Sequence, residues 1–168
     1  RVSARTDEQG RWRNDGAPGV DGQTVKQFDE HVEAELARLH DELKTKRYRR
    51  QPARRVWIPK PGTTEKRPLG IPAVRDRTVE AALRNVLEPI FENDFAESSY
   101  GFRPGRGCRE AVQRVEELLS QGHVWCVDCD LKSYFDTIPH DRLMALIKQR
   151  IVDGSVLAVL EQCLKAGV

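Results

Sequence analysis

An α+β fold, with helices packed around small antiparallel sheets, is what this sequence predicts. Three features carry that expectation. Val25, Phe28, Val32, Leu36, Leu39 and Leu43 recur at three- and four-residue steps, the spacing of one helix face. Arg54–Pro59 and Arg67–Pro72 are short strand-like runs on either side of a turn-rich link that contains Pro61-Gly62, so they read as a hairpin. A further run from Val124 begins apolar, with β-branched and aromatic residues, and stops on a carboxylate, Asp130.

In chain order, residues 1–22 form a loop-rich lead, because Gly16-Ala17-Pro18-Gly19-Val20-Asp21-Gly22 is turn chemistry throughout. Thr24 caps the first helix, with Gln27 completing a capping box, and the apolar stripe carries that helix to about Tyr48. Lys60 and Lys66-Arg67 flank the tip of the hairpin that follows. Asp76 is placed to cap the next helix, which carries Val79, Leu83, Val86, Leu87, Ile90 and Phe91, with Pro89 expected to kink or interrupt it. Ser99 to Gly107 is a compact loop of glycines, aromatics and arginines. A third helix from about Arg109 to Gln121 ends at Gly122. After the strand-like run, Pro139, His140 and Asp141 open a helix with Leu143, Leu146, Ile147 and Ile151. Gly154-Ser155 starts the last one, with Val156, Leu157, Leu160 and Leu164. His140 reads as a helix-start residue, not a base.

The chain has 168 residues, 39% hydrophobic and 32% charged, the balance of a soluble globular chain and not a disordered one. No apolar run approaches the ~20 residues of a membrane span, and no signal peptide is expected. It begins at Arg1 and stops soon after an apolar stretch, so both ends read as cut and a fragment is expected. Four cysteines, Cys108, Cys126, Cys129 and Cys163, do not make a disulfide framework. Cys126-x-x-Cys129 lacks a second Cys/His pair at ligand spacing, so reduced, buried thiols and a cytoplasmic location are expected.

A formal charge of +2 hides an asymmetry. Between Lys44 and Arg77 stand 12 Lys and Arg against two acids, Glu65 and Asp76; elsewhere 16 bases face 24 acids. A basic stripe interleaved with Tyr48, Trp57 and prolines suits a polyanion partner better than a floppy tail does. Arg47, Arg49 and Arg50 form its densest cluster.

Asp130 is the other focus. A carboxylate at a strand end, followed by a turn and helix, is where a hard divalent cation can be held near a substrate phosphate. Strand alternation puts Asp128 and Asp130 on one face and Val127 and Cys129 on the other. Phe135, five positions on, falls in the following turn.

Gly16–Phe28 (GAPGVDGQTVKQF), Val56–Arg77 (VWIPKPGTTEKRPLGIPAVRDR), Ser99–Gly107 (SYGFRPGRG) and Asp128–Leu143 (DCDLKSYFDTIPHDRL) together resemble the reverse transcriptases encoded by bacterial group II introns. Related enzymes, including those joined to CRISPR adaptation proteins, share these motifs. The resemblance covers nearly the whole chain, in order. It implies a right-hand polymerase: residues 1–23 as an N-terminal extension that lids the template, 24–122 as fingers, and 123–168 as the start of the palm.

The resemblance also implies roles for single residues. Asp130 matches the first metal-binding aspartate, which with the Leu131 carbonyl holds two Mg²⁺ ions. Phe135 matches the steric gate that selects dNTPs, and the backbone of Lys132, Ser133 and Tyr134 faces the triphosphate. Lys60 and Arg67 match the basic finger residues that clamp the nucleotide. Gly70, Ile71 and Pro72 match the segment along the templating base, and Arg103 matches a structural or template-contacting arginine. The palm's second carboxylate pair, usually a Tyr-Ala-Asp-Asp hairpin, has no counterpart, so the fragment itself is expected to be inactive.

The partners so implied are an RNA template or intron RNA, a DNA or RNA primer and dNTPs, with no membrane. A homodimer and CRISPR adaptation proteins are left open. Two other readings stand beside the intron enzyme: a CRISPR-associated reverse transcriptase, and an RNA-binding splicing cofactor with a decayed polymerase site.

Overall fold

The computed structural model describes residues 16–131 and 133–166. Along the chain run helices α1 (Val25–Glu30) and α2 (Val32–Lys44), strands β1 (Arg54–Pro59) and β2 (Lys66–Ile71), and helix α3 (Val74–Phe91). A 3₁₀ turn (Glu92–Asp94) follows, then α4 (Cys108–Ser120), α5 (Tyr134–Thr137), α6 (His140–Ile147) and α7 (Gly154–Lys165). Two compact units divide it, residues 16–85 with 140–166, and residues 86–139.

The first unit holds the core. The capping box forms as expected: the Thr24 hydroxyl accepts from the Gln27 backbone N–H, and the Thr24 N–H donates to the Gln27 side chain at 2.9 Å. The helix expected to run unbroken to Tyr48 is instead two helices. His31 leaves helical geometry (φ −127°, ψ 24°) and its N–H bonds the Phe28 carbonyl. The second helix also stops early, where Lys46 takes a left-handed conformation (φ 58°) and the Glu42 carbonyl accepts from the N–H of both Arg47 and Tyr48. That turn frees Tyr48 from the helix and sends its ring inward. It packs with Phe28, Leu39, Val74 and Val79, and Val25, Val32, Leu43, Leu83 and Val159 line the cluster.

Asp76 is not the cap that the sequence suggests. It lies within the first turn of α3 and is 1% exposed. Tyr48 Oη donates to Asp76 Oδ1 at 2.7 Å, and the Gln51 backbone N–H donates to Oδ2 at 3.0 Å. The Arg75 guanidinium stands over the Tyr48 ring at 5.7 Å and pairs with Glu42. Nearby, the buried Arg50 side chain pairs with Glu80 at 2.7 Å, while its backbone N–H donates to Gln162 of α7 at 3.1 Å. Burial raises the Glu80 carboxyl above the usual carboxylate range, against the pull of Arg50. One polar knot thus joins α2, α3, α7 and the segment leading into β1.

The hairpin is antiparallel, as expected, with Arg54 opposite Ile71, Trp57 opposite Pro68 and Ile58 opposite Arg67. Burial alternates along β1, with Arg54, Val56 and Ile58 facing in and Arg55, Trp57 and Pro59 facing out. Gly62 supplies the left-handed residue of the tip (φ 72°).

In the second unit, α3 runs through Pro89 and ends at Phe91, so the proline does not interrupt it. None of the described residues from 86 to 139 is fully buried. The apolar stripe of α4, Val112, Val115 and Leu119, is more than half exposed. The run from Val124 to Asp130 is not a strand. Among the described residues no second strand pairs with it, and a strand exists only through its ladder. Trp125 is accordingly 94% exposed. Cys108, Cys126 and Cys129, expected to be buried, are exposed on this uncovered part of the chain, and Cys163 is half-buried. In the first unit, α6 ends at Ile147, short of the expected Ile151, which is buried beyond it. Asp153 caps α7 by accepting from the N–H of Ser155 and Val156, bonds that hold its carboxyl below the usual range.

Two consequences can be measured. Tyr48→Phe leaves a buried carboxylate oxygen without its donor, so it should destabilise the chain by about 1–3 kcal/mol in urea unfolding; an unchanged midpoint would contradict the knot. Burial, then the bond to Asp76, holds the Tyr48 phenol protonated far above the usual tyrosine range. Its contribution is therefore complete below pH ~10 and falls as pH rises beyond that. The wild type should lose more stability than Tyr48→Phe between pH ~9 and ~11.

Candidate functional site

The expected site residues fall in both units. Lys60, Arg67, Gly70, Ile71, Pro72, Arg47, Arg49 and Arg50 belong to the first, and Arg103, Asp130, Leu131, Ser133, Tyr134 and Phe135 to the second. Lys132 and residues 1–15 of the N-terminal extension lie outside the described residues.

In the second unit, Asp130 ends the unpaired run and is exposed, as is Leu131. Ser133 then takes a left-handed conformation (φ 51°) and opens α5, a single helical turn. Its carbonyl accepts from the Asp136 N–H at 3.0 Å and the Thr137 hydroxyl at 3.1 Å. This turn carries Tyr134 and Phe135, whose rings meet edge to face at 5.4 Å. Phe135 is 83% exposed, so its face is open to a ligand.

Magnesium takes six oxygen ligands in near-octahedral geometry. The Asp130 carboxylate and Leu131 carbonyl match that chemistry in kind. In number they fall short: among the described residues no group of three His, Cys, Asp or Glu side chains is placed to hold a metal ion. On their own, those two oxygens would be an incomplete donor set for such an ion.

Arg103 is the hub of the 99–107 loop. Its side chain is 8% exposed; Nε and Nη2 both donate to Glu92 Oε1, at 3.0 and 2.8 Å, and Nη1 to the Ala96 and Ser99 carbonyls. The guanidinium also lies 5.3 Å from the Phe95 ring centroid. All of this holds loop to helix end, a structural use of the residue.

In the first unit, the hairpin tip is closed by an ion pair between Lys60 and Glu65 at 2.7 Å, which lowers the Glu65 carboxyl below its usual range. Arg67 is exposed one position in from the end of the ladder. Gly70 and Ile71 end β2, and Pro72 follows, half-buried.

The arginine cluster divides. Arg50 is taken up by Glu80. Arg47 and Arg49 are exposed and line a groove of about 370 Å³ with Arg38, Arg75, Asp41 and Glu42. Arg47 pairs with Asp41, and Arg49 Nη1 donates to the Lys46 and Tyr48 carbonyls. Arg38 and Arg75 were not legible as partners, because only tertiary packing brings them to one groove. Its four guanidiniums face Asp41 and Glu42, and Arg38 also pairs with Glu35 at 2.6 Å and Arg75 approaches Asp76 at 4.0 Å, so the groove is basic but largely ion-paired.

The chain matches the model of the family described as reverse transcriptase (RNA-dependent DNA polymerase) over residues 58–167. It is 44% identical over 154 residues to protein YkfC of Escherichia coli, covering 89% of this chain and 40% of that protein. To the group II intron-encoded protein LtrA of Lactococcus lactis it is 35% identical over 161 residues, covering 95% of this chain and 26% of that protein. To nuclear intron maturase 1, mitochondrial, of Arabidopsis thaliana it is 32% identical over 94 residues, covering 56% and 13%. The chain thus spans less than half the length of these relatives. Among the described residues no helix is long and apolar enough to cross a membrane.

Because Asp130 is exposed and Arg103 is buried and multiply bonded, their substitutions should separate. Asp130→Ala should leave the urea midpoint within about 0.5 kcal/mol of wild type. Arg103→Ala, which leaves Glu92 and two carbonyls without their donor, should cost about 2–4 kcal/mol. Equal losses would mean that Asp130 has a structural partner.

Proposed function

From the premise that this chain belongs to the reverse transcriptase (RNA-dependent DNA polymerase) family, we propose that it supplies the fingers and first part of the palm of an RNA-directed DNA polymerase of group II intron type. The observation that carries this reading is the sequence Asp130-Leu131 followed by the one-turn helix that presents Phe135, all within the family match. The reaction is attack of a primer 3′-hydroxyl on the α-phosphate of a dNTP, with pyrophosphate leaving.

Asp130 and the Leu131 carbonyl would hold magnesium, with donors beyond those described. That ion supplies Lewis-acid charge, lowering the pKa of the hydroxyl and neutralising the leaving group. The chain's own residues position the reactants. Lys60 and Arg67 meet the triphosphate, Lys as a point charge and Arg as a planar fork. The Lys60–Glu65 ion pair is exposed and worth little, so exchanging Glu65 for a phosphate costs the hairpin little. To the backbone of Ser133 and Tyr134 we assign a triphosphate contact, the role that the family resemblance implies. Phe135 excludes a ribose 2′-hydroxyl by bulk, and Gly70, Ile71 and Pro72 lie along the templating base.

Intron RNA is a further partner on this reading, because two of the relatives are named for intron products. Arg47 and Arg49 in their groove are the residues we assign to phosphate-backbone contact. Arg50, buried against Glu80, holds the segment in place.

Primer extension by the full-length protein on an RNA template, with magnesium and dNTPs, tests the proposal. Asp130→Ala should abolish extension while RNA binding stays within about threefold, since it removes no RNA contact. Phe135→Ala should retain extension and incorporate ribonucleotides. An active Asp130→Ala enzyme would refute the metal assignment, and unchanged sugar selectivity in Phe135→Ala would refute the gate. Charge reversal at Arg47 and Arg49 should reduce the slope of log affinity against log salt by about 2; an unchanged slope would make the groove ordinary surface.

A further inference from the structure

We propose that Arg77 is a positioning residue that clamps the 16–22 loop to the segment just after β2, so that the loop and the template-contacting residues Gly70–Pro72 move as one piece. The inference rests on the polymerase reading above, and it assigns work to residues which that reading leaves idle.

The clamp is made of backbone contacts closed by two arginines. Arg77 Nε donates to the Pro72 carbonyl at 3.0 Å, and its Nη2 donates to the Ala17 carbonyl. One planar guanidinium thus bridges two chain segments 55 residues apart in sequence, joining Ala17 to Pro72. Arg54, on the inward face of β1, donates from Nε to the Pro18 carbonyl at 2.9 Å. The two arginines therefore fix consecutive carbonyls of the loop, one from α3 and one from the hairpin.

Between them the loop touches the segment without any side chain intervening. A Cβ placed on Gly19 would stand 2.5 Å from Ala73 Cα, 2.6 Å from Ala73 N and 3.0 Å from the Pro72 carbonyl carbon. All three are backbone atoms and cannot turn aside. Ala73 is itself fully buried. Glycine is required at position 19 by close approach, the loop being pressed against the residues that follow Ile71.

The functional consequence comes from what the pressed segment does. Ile71 and Pro72 lie along the templating base on the proposed reading. A segment fixed only by the last rung of a two-stranded hairpin is free to shift with the tip. Tied to Arg77, whose helix is anchored by Asp76 in the Tyr48 knot, the same segment gains a rigid reference. Nucleotide contacts at Lys60 and Arg67 lie toward the other end of β1 and β2, away from the clamp. Loosening the clamp should therefore weaken the hold on template and leave the hold on nucleotide.

Steady-state primer extension by the full-length protein separates these effects. Arg77→Ala and Gly19→Ala should each raise KM for an RNA template–primer roughly three- to tenfold, the effect of one or two lost hydrogen bonds. The KM for dNTP and kcat at saturating template should stay within about twofold. Because both substitutions open one clamp, the double variant should be no worse than the worse single one. Arg77→Lys, with one ammonium in place of the fork, should recover only part of the loss. An unchanged template KM in Arg77→Ala would overturn the inference, and so would equal, additive losses in template KM, dNTP KM and kcat, since those describe general loosening. A wild-type protein unable to extend a primer would instead overturn the polymerase reading itself, and the clamp's role with it.

Discussion

The carboxylate of Asp76 is the constraint on which the first unit depends. A buried acid costs several kcal/mol unless its oxygens are hydrogen-bonded. Here each oxygen has a donor from the segment between α2 and β1, the Tyr48 phenol for one and the Gln51 backbone N–H for the other. Satisfying them requires α2 to end before Tyr48, which the left-handed Lys46 achieves. It also requires residues 48–51 to lie along the start of α3, which delivers the chain into β1. Arg75, Glu42, Arg50, Glu80 and Gln162 extend the knot outward to α2 and α7. The hairpin that carries Lys60 and Arg67 therefore grows from a rigid base, and so does the basic groove around Arg47 and Arg49.

The second unit is held together differently. Its described residues include no buried apolar side chain, and Arg103 joins Glu92, Ala96 and Ser99 in place of a core. Around that polar hub, α4 and the run before Asp130 show apolar side chains to solvent. Asp130 lies in this exposed stretch, which suits the metal-ligand role we propose for it. The contrast is between a buried, doubly bonded Asp76 that shapes the fold and an exposed Asp130 to which we assign the chemistry.

What could be read from the sequence was local. The Thr24 and Gln27 capping box, the hairpin around Pro61-Gly62, the helix that ends at Gly122 and the helix that begins at Gly154 each depend on residues a few positions apart, and each is present. Asp76 reads as a cap because a carboxylate at a helix start is ordinary capping chemistry, and nothing local reveals a phenol 28 residues away. The division at His31 and the early stop at Lys46 answer to packing and leave no mark on the apolar stripe. Val124–Asp130 has strand composition, but pairing makes a strand and composition does not. At the candidate site, motif matching singled out Asp130, Phe135, Lys60 and Arg67, whereas Arg38, Arg75 and Arg77 acquire their places only through tertiary contacts.

We propose that Asp130 and Leu131 contribute donors to a divalent-cation site in the complete protein. Ferrous iron substituted for magnesium reduces added hydrogen peroxide to hydroxide and a hydroxyl radical, with ascorbate returning the ferric ion to ferrous; the radicals cut the backbone close to the ion, and the fragments locate it. On this account, cleavage in the full-length protein should fall within a few residues of Asp130, be suppressed by excess magnesium, and vanish in Asp130→Ala. Cleavage elsewhere, or at this place with Asp130 removed, would contradict it.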